Sequence, residues 1–165
     1  MHPIEHQLRE DIVRIGRFMF DKDWIASNDG NISARLPDED GQPRILATPT
    51  GMSKGLLKVE DLIVTDLEGS KIRGTRERTS EMDMHTTIYK MRPEINAVVH
   101  AHPPTATGFA VAGRALNVGI LPEVIVCLGS VPLADYGEPG TPALAESMRP
   151  YIPKFDALLL ANHGA

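Results

Sequence analysis

The sequence predicts a single α/β domain in which helices pack on a mainly antiparallel or mixed sheet. Segments with helical spacing of apolar residues alternate with short β-branched runs, and neither an internal repeat nor a change of composition divides the 165 residues. A chain of this length buries roughly two-thirds of the surface that its unfolded form exposes, so its core needs no metal for support. A bound metal is therefore expected to serve function.

The chain opens with an amphipathic helix. Between Glu5 and Trp24 the apolar residues recur at spacings of four, three and four, which is typical of one buried helical face. We expect that face to consist of Leu8, Ile12, Ile15 and Met19.

A meander of strands follows this helix. The turn SNDGN leads into the strand-like ISARL, and RILATPTG reads as a strand that runs into a Pro/Gly loop. LIVTDLEGSKIRG reads as two extended pieces joined at Glu68 and Gly69.

The second helix lies in TSEMDMHTTIYKMRP. Ser80 is expected to cap its N-terminus, with Asp83 three residues later, and Pro93 to end it. The predicted buried face consists of Met84, Ile88 and Met91.

The remaining chain alternates between strands and short helices. Thr141 and Pro142 stand where a helix N-cap and first helical residue are expected. The predicted order is a buried strand in INAVVHAHPP, a small helix in TATGFAVAG, strand structure in EVIVCLGSVPL, a helix in TPALAESMRPYI and a buried strand in FDALLLANHGA.

Charge and composition exclude several classes of partner. The chain carries 17 basic and 22 acidic residues, for a net charge of −5, and no long basic run, which argues against nucleic acid or an anionic membrane as the main partner. It has no apolar stretch of the ~18 residues that span a membrane, and its N-terminus is too charged for a secretory signal, so we expect a cytoplasmic protein. The single Cys127 is expected to be a buried, inert thiol.

Three histidines form a candidate metal site. His100 and His102 alternate on a predicted strand, so both imidazoles should leave the same face and reach one ion. His163 ends the next strongly apolar run, directly before a glycine. Three histidines with an open position are typical of a catalytic zinc ion, although hydrogen-bonded structural histidines are the alternative interpretation.

A carboxylate stands close to this site in the sequence. Glu81 lies at the start of the helix that leads into the His100 strand, where it is either a catalytic group or an acid favoured by the helix dipole. Thr79 and Ser80 add hydroxyls at the same helix start, which would suit an anion. Of the remaining histidines, His85 is predicted to be partly buried on the helix, and His2 and His6 are predicted to be solvated.

Taken in order, the motifs GNISAR, TPTGM, TSEMDMH, VVHAHP and NHG resemble the class II aldolase/adducin family, which includes L-fuculose-phosphate aldolase and L-ribulose-phosphate 4-epimerase. The resemblance runs from about Asp21 to Ala165 and implies a three-layer α/β/α fold with a central mixed, mostly antiparallel sheet. It implies one zinc ion per chain, or another divalent metal, on His100, His102 and His163, with Glu81 as general acid/base. It also implies that a substrate phosphate binds at Asn28, Asn31, Gly51, Thr79 and Ser80.

The resemblance implies reversible aldol cleavage of a ketose phosphate to dihydroxyacetone phosphate and an aldehyde. The epimerase carries aspartate where Glu81 stands, which favours the aldolase branch. The alternatives are a ketose-phosphate epimerase, dehydratase or decarboxylase on the same scaffold, or a non-catalytic adducin-like interaction module. Retention of the histidines and Glu81 argues against the module.

Assembly and length are further expectations from the family. Its members are usually cyclic tetramers, so we expect a homo-oligomer with the active site near subunit boundaries, and the apolar run GILPEVIVCLG supports this. The expected partners are a small phosphorylated sugar and copies of the chain itself. Residues 1–165 read as one domain that lacks the usual C-terminal strand and helix of the family.

Overall fold

The computed structural model describes residues 3–39, 41–117, 119 and 122–165 and has the predicted α/β architecture. Within those residues, one helix precedes four successive strands, and helices and short strands are interspersed after them. Their order is α1 (Pro3–Asp21), β1 (Asn31–Glu39), β2 (Gln42–Ala47), β3 (Ile63–Asp66), β4 (Lys71–Arg73), α2 (Met82–Met91), β5 (Ala97–His100), α3 (Pro104–Val111), α4 (Pro122–Leu128), β6 (Leu133–Ala134), α5 (Pro142–Met148) and β7 (Leu159–Leu160).

The main sheet has five strands in the order β4-β3-β2-β1-β5, and every neighbouring pair is antiparallel. The short strands β6 and β7 pair in parallel as a separate unit. The prediction of a mixed, mostly antiparallel architecture is therefore confirmed. The β1–β5 pairing sets Asn31 opposite His100, which brings the GN turn next to the first predicted metal ligand.

The main sheet is covered on both faces. Strand β2 shows this, because successive side chains of a strand point to opposite faces. Ile45 packs into a cluster with Tyr89 of α2, whereas Leu46 packs into a cluster with Ile12 and Met19 of α1. Helix α5 packs against the outer side of α2. No helix in the described part of the chain is long and apolar enough to cross a membrane.

The segment EVIVCL was predicted to be extended and is helical instead. Pro122 occupies the first turn of α4 together with Glu123, and both residue types favour a helix start. The β-branched residues gave the wrong signal because this segment is not a core strand: Val126 is 85% exposed. Cys127 is exposed as well, so the prediction of a buried thiol was wrong.

Other expectations are confirmed or corrected at single residues. Thr141 is the N-cap of α5, with Pro142 in its first turn, as predicted. Ile15 points to solvent, although its spacing placed it on the buried face of α1. His6 is exposed as expected, and His2 lies outside the described residues. The predicted strand in FDALLL is reduced to Leu159–Leu160.

Candidate metal centre

The three predicted ligands meet at one point. His100 ends β5, His102 follows two residues later, and His163 lies in the turn after β7. The ring centroids are 4.8 Å apart for His100 and His102, 4.7 Å for His100 and His163, and 5.0 Å for His102 and His163. One ring nitrogen from each histidine lies within 4.8 Å of the other two.

Loops, rather than alternation along a strand, place the rings of His102 and His163 beside that of His100. Strand β5 ends at His100, so the prediction that His102 lies on the same strand is wrong. The backbone N–H of His102 donates to the carbonyl oxygen of Trp24 at 2.9 Å. At Gly164 a Cβ would lie 2.6 Å from Cδ2 of His102 and 2.7 Å from the carbonyl oxygen of Ala101. Only glycine therefore allows the NHG turn to approach this closely.

Polar contacts of Nδ1 in His100 and His102 leave Nε2 of each ring facing the cluster. Nδ1 of His100 lies 2.8 Å from the carbonyl oxygen of Ala165, so this nitrogen carries the proton and Nε2 is left with a lone pair. Nδ1 of His102 lies 3.6 Å from a carboxylate oxygen of Asp29. Partners of this kind orient metal-binding histidines in proteins.

The inward nitrogens fit a cation. The two Nε2 atoms of His100 and His102 lie 3.0 Å apart, and Nε2 of His100 lies 3.4 Å from Oε2 of Glu81. A lone pair that faces a carboxylate oxygen is repelled unless a metal ion or a proton lies between them. The donor set, three imidazoles beside a carboxylate, therefore suits zinc or another divalent transition metal.

The environment keeps the imidazoles in the neutral form that binds metals. Burial, together with the neighbouring His163 and His102, lowers the pKa of His100 to about 3. Burial also lowers the pKa of His163, which the carboxylate of Glu81 partly opposes. At neutral pH both rings can therefore offer a lone pair without first losing a proton.

Glu81 projects into this histidine cluster. It is the N-cap of α2, which begins at Met82, so the prediction of Ser80 as the cap is wrong. Asp83 pairs with Arg78 at 3.0 Å instead of completing a capping box. Oε2 of Glu81 accepts a hydrogen bond from the side chain of Asn31 at 2.6 Å. Oε1 lies 3.2 Å from Nε2 of His163 and forms no hydrogen bond within the described residues.

The structure brings part of the predicted phosphate site together. A β-bridge joins Pro49 to Arg78, so the loop that contains Gly51 runs beside the segment that contains Thr79 and Ser80. Gly51 has a φ of +69° and is exposed, as is Ser80. Thr79 is buried, and its hydroxyl accepts a hydrogen bond from the backbone N–H of Glu81 at 3.4 Å.

The two asparagines of the predicted phosphate site have different surroundings. The side chain of Asn31 contacts Glu81 and His85, so its amide is engaged within the protein core. Asn28 is exposed, and its carbonyl accepts a hydrogen bond from the ammonium of Lys54 at 2.5 Å. Burial lowers the pKa of Lys54 to about 8, and the carboxylates of Asp29 and Glu81 oppose this shift.

Sequence reasoning missed the side chains behind Glu81. His85 is fully buried, not partly buried as predicted, and it contacts Asn31 and Ser33. Two signals could have revealed it: Glu81 and His85 are four residues apart at the start of a helix, and Asn31 and Ser33 share one face of a strand.

We expect His85 to make the metal-free protein less stable in acid. Burial lowers its folded-state pKa to about 3, and the charge of His100 contributes. The unfolded value is ~6.5, so between these two values the unfolded chain binds a proton that the folded chain does not, and stability falls as the pH drops. The loss should be about 1 kcal/mol per pH unit below ~6.5.

Urea unfolding at several pH values between about 7 and 5 would measure this effect. The free energy of unfolding should decline more steeply for the wild type than for His85→Leu, because the variant lacks the titrating ring. Equal slopes in the two proteins would contradict a neutral, buried His85.

Comparisons with known proteins identify the family to which the chain is similar. The chain matches the model of the class II aldolase and adducin N-terminal domain over residues 10–165. L-fuculose phosphate aldolase from Methanococcus maripaludis is 36% identical over 154 residues, which are 93% of this chain and 80% of that protein. The 3-oxo-tetronate 4-phosphate decarboxylase from Haemophilus influenzae is 33% identical over 160 residues, which are 94% of this chain and 74% of that protein. A solved structure of L-fuculose 1-phosphate aldolase has a TM-score of 0.86 at 30% identity and covers 96% of this chain and 73% of that one.

Proposed function

Because the chain belongs to the class II aldolase and adducin family, we propose that it is a zinc-dependent aldolase. The reaction is the reversible cleavage of a ketose phosphate, similar to L-fuculose 1-phosphate, into dihydroxyacetone phosphate and an aldehyde. The observation that carries this proposal is the carboxylate of Glu81, which is buried against His100 and His163 of the histidine cluster, and of which one oxygen forms no hydrogen bond to the described residues.

His100, His102 and His163 would hold the metal. When bound, a divalent ion supplies a Lewis acid that polarises the carbonyl of the ketone substrate. Zinc is the ion that three neutral imidazoles with an open position suit best, and another divalent metal with similar preferences is the alternative.

Glu81 would move the proton. In the synthetic direction its carboxylate takes the C–H proton next to the carbonyl of dihydroxyacetone phosphate and becomes a carboxylic acid. Its side chain is 10% exposed, so little water competes for Oε1. A positioned general base of this kind typically contributes about 10²–10⁴-fold to the rate.

The phosphate would bind at the start of α2. Ser80, Thr79 and the loop at Gly51 offer hydroxyls and backbone N–H groups there, and the helix dipole favours an anion. Asn28 lies at the exposed side of this region, whereas the amide of Asn31 is directed to Glu81. In this proposal Asn31 serves the base more than the phosphate.

We expect Ser80→Asp to weaken the binding of phosphorylated substrates. The new carboxylate would repel the phosphate at the helix start, so KM for dihydroxyacetone phosphate should rise at least ~10-fold, while Ser80→Ala should have a much smaller effect. Initial rates with dihydroxyacetone phosphate and with unphosphorylated dihydroxyacetone would measure this. Wild-type rates for Ser80→Asp on both compounds would contradict a phosphate site at Ser80.

A decarboxylase is the second candidate, because the relative from Haemophilus influenzae is almost as similar as the aldolase. A decarboxylase loses carbon dioxide and needs no base to take a C–H proton, so exchange of the ketone's C–H proton is the activity that separates it from an aldolase. An adducin-like module would show neither exchange nor release of carbon dioxide in the same experiment.

The test is hydrogen exchange on the ketone. Zinc-loaded protein is incubated with dihydroxyacetone phosphate in D₂O, deuterium uptake at the hydroxymethyl carbon is followed by NMR, and a panel of aldehydes is then added. We expect stereospecific exchange and an aldol product with at least one aldehyde. Absence of exchange together with release of carbon dioxide from a 3-oxo acid phosphate would favour the decarboxylase instead.

We propose that the protein acts as a homo-oligomer, tetrameric in line with the family expectation. The exposed apolar side chains of α4, with Ile125 at 47% and Val126 at 85%, support self-association. Part of the apolar run on which the expectation rested, at residues 120 and 121, lies outside the described residues.

A further inference from the structure

A line of buried hydrogen bonds extends from Glu81 into the layer between the main sheet and α2. Its members are Asn31 and Ser33 of β1 and His85 and Tyr89 of α2, and none of these side chains belongs to the predicted metal ligands. Asn31 is 4% exposed, Tyr89 1%, and Ser33 and His85 are fully buried. Buried polar groups at this depth need partners with matched donors and acceptors.

The direction of each hydrogen bond near Glu81 follows from its carboxylate, which only accepts. The group of Asn31 that faces Oε2 at 2.6 Å must therefore be the NH₂. The other end of the same amide is then the oxygen, which contacts Nε2 of His85. Since an amide oxygen only accepts, Nε2 of His85 must carry the proton.

The far side of the ring agrees with this assignment. With the proton on Nε2, Nδ1 of a neutral His85 is an acceptor, and the hydroxyl of Ser33 donates to it at 2.7 Å. The hydroxyl of Tyr89 in turn donates to Ser33 at 2.9 Å. Burial lowers the pKa of His85 to about 3 and raises that of Tyr89 to about 12, so both stay uncharged at neutral pH.

We propose that His85 is a positioning residue for the base: it holds the amide of Asn31 so that the NH₂ anchors Oε2 of Glu81, which leaves Oε1 as the oxygen that exchanges the proton. This inference rests on the proposed role of Glu81 in proton transfer. It assigns different tasks to the two carboxylate oxygens.

The anchor is needed because a glutamate carboxylate rotates easily about its last torsion angle. Without the hydrogen bond from Asn31, either oxygen could face the histidines. If His85 did not donate to Asn31, the amide could turn over and set its oxygen against the carboxylate, which would be repulsive. A displacement of about 1 Å in a reacting group can cost 10²-fold in rate.

The first test compares His85→Leu with His85→Gln. Leucine removes both ring nitrogens, whereas glutamine keeps an N–H donor close to the position of Nε2. We expect kcat for deuterium exchange into dihydroxyacetone phosphate to fall ~10–100-fold in His85→Leu, with KM and zinc content within about threefold of wild type. His85→Gln should recover a large part of this loss.

Thr86→Val is the matched control. Thr86 is buried on the same helix, and its hydroxyl donates to the carbonyl of Asp83 at 3.3 Å, outside the Glu81 line. This control should retain the wild-type exchange rate. If His85→Leu exchanges within about threefold of wild type at equal zinc content, or if His85→Gln is as slow as His85→Leu, the positioning role is overturned.

The second test needs no substrate. In ¹⁵N-histidine-labelled wild-type protein, the resonances lost in His85→Gln identify His85, and their shifts report which nitrogen is protonated. We expect a neutral ring with the proton on Nε2. A proton on Nδ1, or a charged ring at neutral pH, would overturn the inference even in an active enzyme. If the wild type shows this tautomer but catalyses no exchange, the proposed function fails while the hydrogen-bond assignment stands.

Discussion

Glu81→Gln is expected to reduce deuterium exchange into dihydroxyacetone phosphate by at least ~10²-fold while zinc remains bound. The substitution preserves the size of the side chain and removes its basicity. The three histidines are unchanged and supply the proposed ligands, so metal content should stay close to one ion per chain. NMR measurement of exchange, at equal zinc content, would give the rate directly and does not depend on which aldehyde the enzyme uses.

Glu68→Gln is the matched control for this variant. Glu68 is exposed and pairs with Lys90 at 2.6 Å, away from the histidine cluster, so its loss should leave the exchange rate unchanged. If Glu81 were only a helix-start acid, Glu81→Gln would cost about 0.3–1 kcal/mol of stability and leave exchange unchanged. An exchange rate within a few-fold of wild type would therefore remove Glu81 as the base.

His102→Ala is expected to abolish stoichiometric zinc binding and, with it, the exchange activity. His102 is the best ligand to truncate because its side chain is 25% exposed, whereas His100 is buried and its loss would leave a cavity. A core of this size is expected to fold without the metal, so circular dichroism and the urea midpoint of the metal-free protein should change little. Metal analysis after dialysis against zinc-free buffer would measure the loss.

His6→Ala is the control for the loss of a histidine as such. His6 is exposed on α1 and pairs with Glu10 at 3.5 Å, so this variant should keep its zinc. Stoichiometric zinc in purified His102→Ala would show that the metal is held elsewhere, and the assignment of His102 as a ligand would be wrong.

Local patterns predicted much of the fold correctly. Helical spacing located α1 and α2, and alternation with Pro/Gly turns located the β1–β4 meander, because both signals arise from neighbours a few residues apart. The same reasoning failed for EVIVCL. A β-branched run forms a buried strand only where tertiary packing covers it, and Val126 is exposed to solvent. Cys127 was misplaced with this segment, and helical spacing likewise placed Ile15 on a buried face although the structure leaves it exposed.

The chemistry of the candidate site could also be predicted from the sequence. The motifs HAH and NHG and the preceding acid, Glu81, are chemically distinctive and follow one another in a recognisable order. Their convergence required the tertiary structure. His102 reaches the centre through a loop, and the turn at Gly164 brings His163 to it, so strand alternation alone would not have assembled the three rings.

The line of hydrogen bonds behind Glu81 depends on tertiary structure entirely. Asn31 and Glu81 are 50 residues apart, and Ser33 and His85 are 52 apart. Sequence determined that an amide, a hydroxyl and an imidazole were available. Only the packing of α2 on β1 decided that they are buried together. Because buried donors and acceptors must be matched, this burial fixes the tautomer of His85, the orientation of Asn31 and the carboxylate oxygen left free on Glu81.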